Sequence, residues 1–274
     1  MLERFTRVMK KRSRPLFQAA KSKKTMEKVL EEAESYSKGC EFCVERCGAV
    51  LPKPKVLCAK NWGKEKLAAP ALELYFSDRT LSDVIDSKPA EAAELSTPGA
   101  VAAWIDRNAK SHKAIVISGD PSHYIPFIVS VLQKVKAQLP VVVKANPYFS
   151  EVAVKILKHF VDLYIFTFAF SDPGCASHLI SAENYPQAAR RVCADAEKAG
   201  DVIVHIPVLP SHLECDAKET IRWIAANLGD CAVRILQDWE PQLASPELAR
   251  RPSITELHDV AETAYRLDLN VLEN

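Results

Sequence analysis

From about Ala71 onward, short apolar runs alternate along the chain with longer amphipathic stretches. The apolar runs at 72–76, 114–118, 141–145, 162–168, 202–207 and 232–236 are candidate strands. Several are β-branched and apolar on both faces, as expected of parallel strands covered on both sides. Between them, the spacing predicts helices over 97–110, 124–137, 150–159, 185–198, 217–227 and 253–266. Ser150 with Glu151 behind it, and Ser253 ahead of Glu256, are the side chains that cap helix starts. Six strands each followed by a helix predict an α/β fold, either a partial barrel or an open doubly wound sheet. Both arrangements place chemistry at the carboxyl ends of the strands. The loops of interest are therefore 77–96, 119–123, 146–149, 169–184, 209–216 and 237–252.

At 274 residues with 48% hydrophobic and 26% charged positions, the chain can bury a sizeable core and is neither disordered nor collagen-like. No uninterrupted apolar run approaches the roughly 18 to 20 residues that span a bilayer, so no transmembrane segment is expected. The net charge of +1 is too balanced for a generic nucleic-acid coat. That balance conceals a basic start: residues 1–24 hold nine Lys/Arg and one acid, Glu3, which sum to +8 and leave −7 for the rest. The segment reads as a solvated basic arm, with an organelle transit peptide or a surface-binding helix as alternatives. No secretory signal pattern follows it, and a cytoplasmic location is expected, or an organelle through the basic start. The expected division is a basic arm at 1–36, a cysteine-rich segment at 37–70 and an α/β barrel domain at 71–274.

The chain has no Walker phosphate loop, no G-x-G-x-x-G and no H-E-x-x-H. Its chemistry is concentrated in cysteine. Of eight cysteines, Cys40, Cys43, Cys47 and Cys58 form a C-x2-C-x3-C-x10-C pattern. Such short spacings let thiolates converge on one centre while intervening backbone amides point at the sulfurs. Zinc usually takes two separated C-x2-C knuckles, whereas three cysteines in one tight turn with a remote fourth resemble the ligands of an iron-sulfur cluster. A 4Fe-4S cluster is the first expectation and zinc the alternative. Cys175, Cys193, Cys215 and Cys231 lack such spacing and read as ordinary buried or loop thiols.

In order, CEFCVERCGAV, ISGDPSHYIPFIVSVL, VVVKANPYFS, VDLYIFTFAFSDPGCA and VLPSHLECDAKETIRWIAANLG resemble landmarks of radical SAM proteins of the pyruvate formate-lyase activating enzyme-like branch. The resemblance runs from about Gly39 to the C-terminus. It is most specific at LPSHLECD, residues 209–216, and in the upstream cysteine quartet typical of one subgroup. It implies a partial (β/α)6 barrel of the radical SAM type, preceded by the cysteine-rich segment. It also implies sites for S-adenosylmethionine, here at Ser118, Gly119 and Asp120, with Asn146, His212 and Glu214 as further polar groups at the barrel mouth.

The chain departs from that pattern at decisive places. The C-x3-C-x2-C motif that holds the catalytic cluster of radical SAM enzymes is absent, and residues 77–96 contain no cysteine. Where relatives read approximately N-T-N-G-Y, this chain has Lys144, Ala145, Asn146, Pro147 and Tyr148; where they read D-x-K, it has Thr167, Phe168 and Ala169. Phe166, Phe168 and Phe170 then surround a position that has lost both charges, which disfavours a zwitterionic cofactor. His205 reads as a core or lumen residue, and Asp216 as a cap for the helix from 217 or as a group at the mouth.

The expectation is a degenerate radical SAM-fold iron-sulfur protein, structural, regulatory or electron-transferring, that does not cleave S-adenosylmethionine and acts on an unidentified protein partner. The alternatives are a working activase-type enzyme using the N-terminal cysteines, and a zinc-stabilised α/β protein of unrelated activity.

Overall fold

Apolar runs become strands where both faces can be covered. The computed structural model describes residues 14–46, 54–60, 70–76, 89, 91–236 and 246–272. The chain divides into Met1–Ala145 with Phe149–Tyr164, and Asn146–Tyr148 with Ile165–Asn274.

In the first unit, helices α1 (Leu16–Ser22) and α2 (Thr25–Ser37) precede strands β1 (Val56–Lys60), β2 (Leu72–Phe76) and β3 (Ala93–Leu95). Helix α3 (Pro98–Asn108), β4 (Ile115–Gly119), α4 (Ile125–Lys134), β5 (Val141–Ala145) and α5 (Glu151–Leu157) follow. The strand order is β3-β1-β2-β4-β5. β1 is antiparallel to both β2 and β3, while β2, β4 and β5 run parallel. Every residue of β2, β4 and β5 is buried, as the two-sided apolar runs require. Helix α4 supplies much of the cover through Ile125, Ile128, Val129, Val131 and Leu132, with α2 and α3 packed against it.

From Arg14 on, the basic segment is held against this unit, and residues 1–13 lie outside the described residues. Phe17 is fully buried. Just past the end of α4, Lys21 Nζ donates to Val135 O at 2.6 Å and Gln18 Nε2 donates to Ala137 O at 2.8 Å. A cation at this end is also favoured by the helix dipole. Asp162 ties the same region to the sheet, its carboxylate accepting from the N–H groups of Leu16 (3.1 Å) and Val141 (2.9 Å).

Strand β6 (Leu163–Thr167) has its first two residues in the first unit and its last three in the second. The second unit continues with α6 (Pro173–Ile180), α7 (Tyr185–Ala199), β7 (Asp201–Pro207), a π-helical turn (Leu213–Ala217), α8 (Lys218–Asn227), β8 (Cys231–Leu236), α9 (Ile254–Arg266) and β9 (Asn270–Val271). Strands β7, β8 and β9 are adjacent and parallel. Helix α9 opens with the anticipated capping box: Ser253 Oγ accepts from Glu256 N–H at 3.2 Å, and the Glu256 carboxylate accepts from Ser253 N–H at 2.7 Å.

The α/β class and the parallel strands with intervening helices agree with the sequence, and the ladders are open rather than closed on themselves. Among the described residues, no helix is long and apolar enough to cross a membrane.

Candidate functional site

Cys40 and Cys43 sit in a tight turn directly after α2, and both are buried. The backbone here is unusual for side-chain-bearing residues, with φ +25° at Cys40 and +42° at Arg46, and its N–H groups are taken up by carbonyls of α2 and of the turn: Cys40 N–H donates to Ser37 O (3.4 Å), Glu41 N–H to Tyr36 O (3.3 Å) and Arg46 N–H to Cys43 O (3.3 Å). The turn is pinned from outside. Cys43 forms an isolated antiparallel bridge to Phe149, and Ser150 N–H donates to Phe42 O at 2.9 Å. Burial pushes the Cys43 thiol up, but a hydrogen bond and charge from His123, with backbone N–H bonds from Arg46 and Glu45, outweigh it and leave the pKa below its ordinary value. Cys58 lies on β1 opposite Leu74 and Ala93, and burial raises its thiol to about 12. Cys47 lies outside the described residues.

At the end of β4, Ser118, Gly119 and Asp120 contact β2 and the turn that follows. Ser118 Oγ donates to the buried Glu73 carboxylate of β2 at 2.5 Å. Asp120 N–H donates to Phe76 O at 2.9 Å, and the Asp120 carboxylate accepts from Ser122 N–H (3.2 Å) and Oγ (2.5 Å). Gly119 has φ +78°, and a Cβ on it would stand 2.2 Å from Phe76 O. The glycine is therefore explained by the close approach of the paired ends of β2 and β4, without reference to a ligand. The loop that follows β2, residues 77–88, lies outside the described residues.

In the second unit, Asn146 directly follows β5. It is 8% exposed, and its Oδ1 has no hydrogen-bond partner. Phe168 and Phe170 are fully buried against Tyr185, with ring centroids at 6.1 Å and 5.8 Å. The Tyr185 hydroxyl accepts from Ala169 N–H and donates to Thr167 O, both at 3.2 Å. Aromatic rings and one phenol thus fill the place where the family resemblance implies a carboxylate and a lysine. His205 is buried within β7, as expected. Glu214 faces solvent and pairs with Lys218 at 2.5 Å and Arg222 at 3.3 Å.

Two readings of this region need correction. Asp216 does not cap the helix that follows it. The chain there forms a π-helical turn with no side-chain cap, and Asp216, 1% exposed, reaches across instead to accept from Ser171 N–H (2.7 Å) and Asp172 N–H (3.0 Å). Nor are Cys175 and Cys215 unrelated thiols. Their sulfurs lie 3.4 Å apart, and His212 Nδ1 is 3.3 Å from Cys175 Sγ and 3.7 Å from Cys215 Sγ. Asp216 Oδ2 stands 3.7 Å from Cys215 Sγ and 3.4 Å from His212 Nδ1. Burial pushes both thiols up, and the nearby Asp216 charge adds to it. His212, Cys215 and Asp216 have the i, i+3, i+4 spacing that puts side chains on one face of a helical turn. That spacing was visible in LPSHLECD, but the fourth member, Cys175, was not.

No protein-family model matches the chain. An uncharacterised protein of Methanocaldococcus jannaschii is 24% identical over 278 residues, covering 88% of this chain and 79% of its own length. Among solved structures, a domain of a pyruvate-formate lyase-activating enzyme from Bacteroides vulgatus is similar with a TM-score of 0.47 at 15% identity, over 58% of this chain and 98% of that one. A radical SAM methyltransferase from Sphaerobacter thermophilus is similar with a TM-score of 0.46 at 14% identity, over 67% and 58%. Streptococcus suis SuiB bound to S-adenosylmethionine is similar with a TM-score of 0.48 at 15% identity, over 67% and 45%.

Proposed function

We propose that this is a degenerate radical SAM-fold protein that binds a 4Fe-4S cluster on Cys40, Cys43, Cys47 and Cys58 and serves a structural, regulatory or electron-transferring role in the cytoplasm, without cleaving S-adenosylmethionine. The observation that supports this most is the turn from Cys40 to Arg46. It buries two sulfurs of the quartet, and His123 beside Cys43 favours the thiolate, a setting that suits ligation of a metal centre. The donor set fits the group: the cysteines would hold the irons, and the cluster would supply one-electron chemistry.

The residues fit S-adenosylmethionine less well. Reductive cleavage needs an open iron chelated by the amino and carboxylate groups of the cofactor, and the loop after β2 offers no cysteine to hold one. Ser118 and Asp120 commit polar atoms to Glu73 and Ser122. The aromatic filling around Tyr185 removes the charges a zwitterion would need. The orphaned Asn146 Oδ1 is an acceptor that favours a small polar ligand.

The test is anaerobic reconstitution of the full chain with iron and sulfide. Broad visible charge-transfer absorption with about four irons per chain is expected. A colourless protein that takes up zinc at these cysteines contradicts the reading, because a filled-shell ion gives no such bands.

A further inference from the structure

The second unit contains a group of metal-ligating side chains that the proposed cluster does not use. Cys175 Sγ, His212 Nδ1, Cys215 Sγ and an Asp216 carboxylate oxygen all lie within 4.8 Å of one another. From these positions the geometry points to a second metal centre, a four-coordinate zinc site of two thiolates, one imidazole and one carboxylate, that joins the start of α6 to the π-helical turn before α8.

The distances carry the argument. With zinc–sulfur bonds of about 2.3 Å and zinc–nitrogen or zinc–oxygen bonds of about 2.0 Å, the edges of a tetrahedral site are roughly 3.8 Å between sulfurs, 3.5 Å from sulfur to nitrogen or oxygen, and 3.3 Å from nitrogen to oxygen. The observed separations are 3.4 Å for Cys175 to Cys215, 3.3 Å and 3.7 Å for His212 to the two sulfurs, 3.7 Å for Cys215 to Asp216 and 3.4 Å for His212 to Asp216. Every one is within a few tenths of an ångström of a tetrahedral edge, so an ion can enter with little movement of the chain. Four ligand atoms all within 4.8 Å of one another surround a single ion rather than the two or more irons of a cluster, and two sulfurs with one imidazole and one carboxylate are a borderline-soft set that suits zinc.

The surroundings are those of a metal site rather than of a chance contact. Asp216 is oriented by the backbone N–H groups of Ser171 and Asp172 on its Oδ1, which leaves Oδ2 directed at the sulfurs and the imidazole. Cys175 is fixed by the turn in which Asp172 caps α6, its N–H donating to Asp172 Oδ1 at 2.8 Å. On the far side of the imidazole, the buried His212 Nε2 makes no hydrogen bond but lies 3.4 Å from the Glu247 carboxylate, near enough for a carboxylate of the kind that orients metal-bound histidines. Glu247 in turn is 2.8 Å from His178 Nε2. With four protein ligands and no open position, the ion would hold structure rather than catalyse. Its entry releases the two thiol protons to solvent and forms two zinc–sulfur bonds, with no change of oxidation state.

The test uses the full chain carrying Cys40→Ala and Cys43→Ala, so that the N-terminal cysteines cannot form their own site, purified under reducing conditions. Zinc analysis is expected to give close to one equivalent, falling to background on adding either Cys175→Ser or Cys215→Ser. Zinc X-ray absorption of the parent double variant should show two sulfurs and two nitrogen or oxygen neighbours, a reading that does not depend on the serine variants folding. Zinc content unchanged by both serine substitutions, a three- or four-sulfur shell, a parent double variant that takes up no zinc, or a Cys175–Cys215 disulfide persisting in reductant would each overturn the proposal.

Discussion

Gly119→Ala is expected to destabilise the first unit by about 2 to 5 kcal/mol. A left-handed backbone costs a side-chain-bearing residue roughly 1 to 2 kcal/mol, and Gly119 has φ +78°. Overpacking adds about 1 to 3 kcal/mol, because the new Cβ would meet Phe76 O at 2.2 Å and the carbonyl carbon at 3.0 Å. Neither atom belongs to a flexible side chain, so relief requires β2 and β4 to separate where Phe76 and Gly119 are in register. Gly229, where an added methyl would find nothing within 4 Å, is the control, and Gly229→Ala is expected within about 0.5 kcal/mol of wild type. Denaturant unfolding of the three proteins checks this. Equal midpoints for Gly119→Ala and Gly229→Ala would show that the close strand approach is not what the glycine serves.

The second large effect concerns the N-terminal sulfurs. Cys43→Ala is expected to reduce reconstituted iron from about four per chain to background, whereas Cys193→Ala, in the buried face of α7, should retain it. Cys43 is singled out because its sulfur is buried and His123 beside it favours the thiolate. Losing it removes a ligand. Iron and sulfide analysis with visible absorption reads the result, and full cluster retention in Cys43→Ala would remove this residue from the ligand set.

Much of the fold was legible because burial on two faces leaves a plain mark. The run VVVKA reads as a strand because both faces are covered, and every residue of Val141–Ala145 is buried. Ser253 and Glu256 announced a helix start that forms as written. Strand β3 left no such mark: Ala-Glu-Leu is largely exposed at the edge of its ladder, so alternation had nothing to record. Strand β1 was hidden within a cysteine-rich stretch in which Cys58 drew attention as a ligand rather than as a buried strand residue. Helix α6 begins Pro-Gly and holds only one buried residue, Ala176, too little to set up an apolar period.

The candidate sites divide along the same line. Short cysteine spacing is local and visible, but Cys175 meets His212 across 37 positions, a proximity that only the packing of α6 beside the loop after β7 creates. Asp216 shows how a local rule loses to a tertiary one. A carboxylate ahead of a helix favours capping, yet the backbone passes through a π-helical turn and the side chain satisfies the Ser171 and Asp172 amides instead. The segment around Gly119 looked like a cofactor loop, and its glycine is accounted for by the approach of Phe76.

An iron-sulfur protein that does not cleave S-adenosylmethionine, as proposed, differs from a working activase in one product. Incubating the anaerobically reconstituted full chain with dithionite and S-adenosylmethionine, and measuring 5′-deoxyadenosine against time, tests this difference most directly. Bleaching of the cluster absorption on reduction is expected, with no 5′-deoxyadenosine above a protein-free control. Catalytic release of 5′-deoxyadenosine that disappears in Cys43→Ala would contradict the proposal.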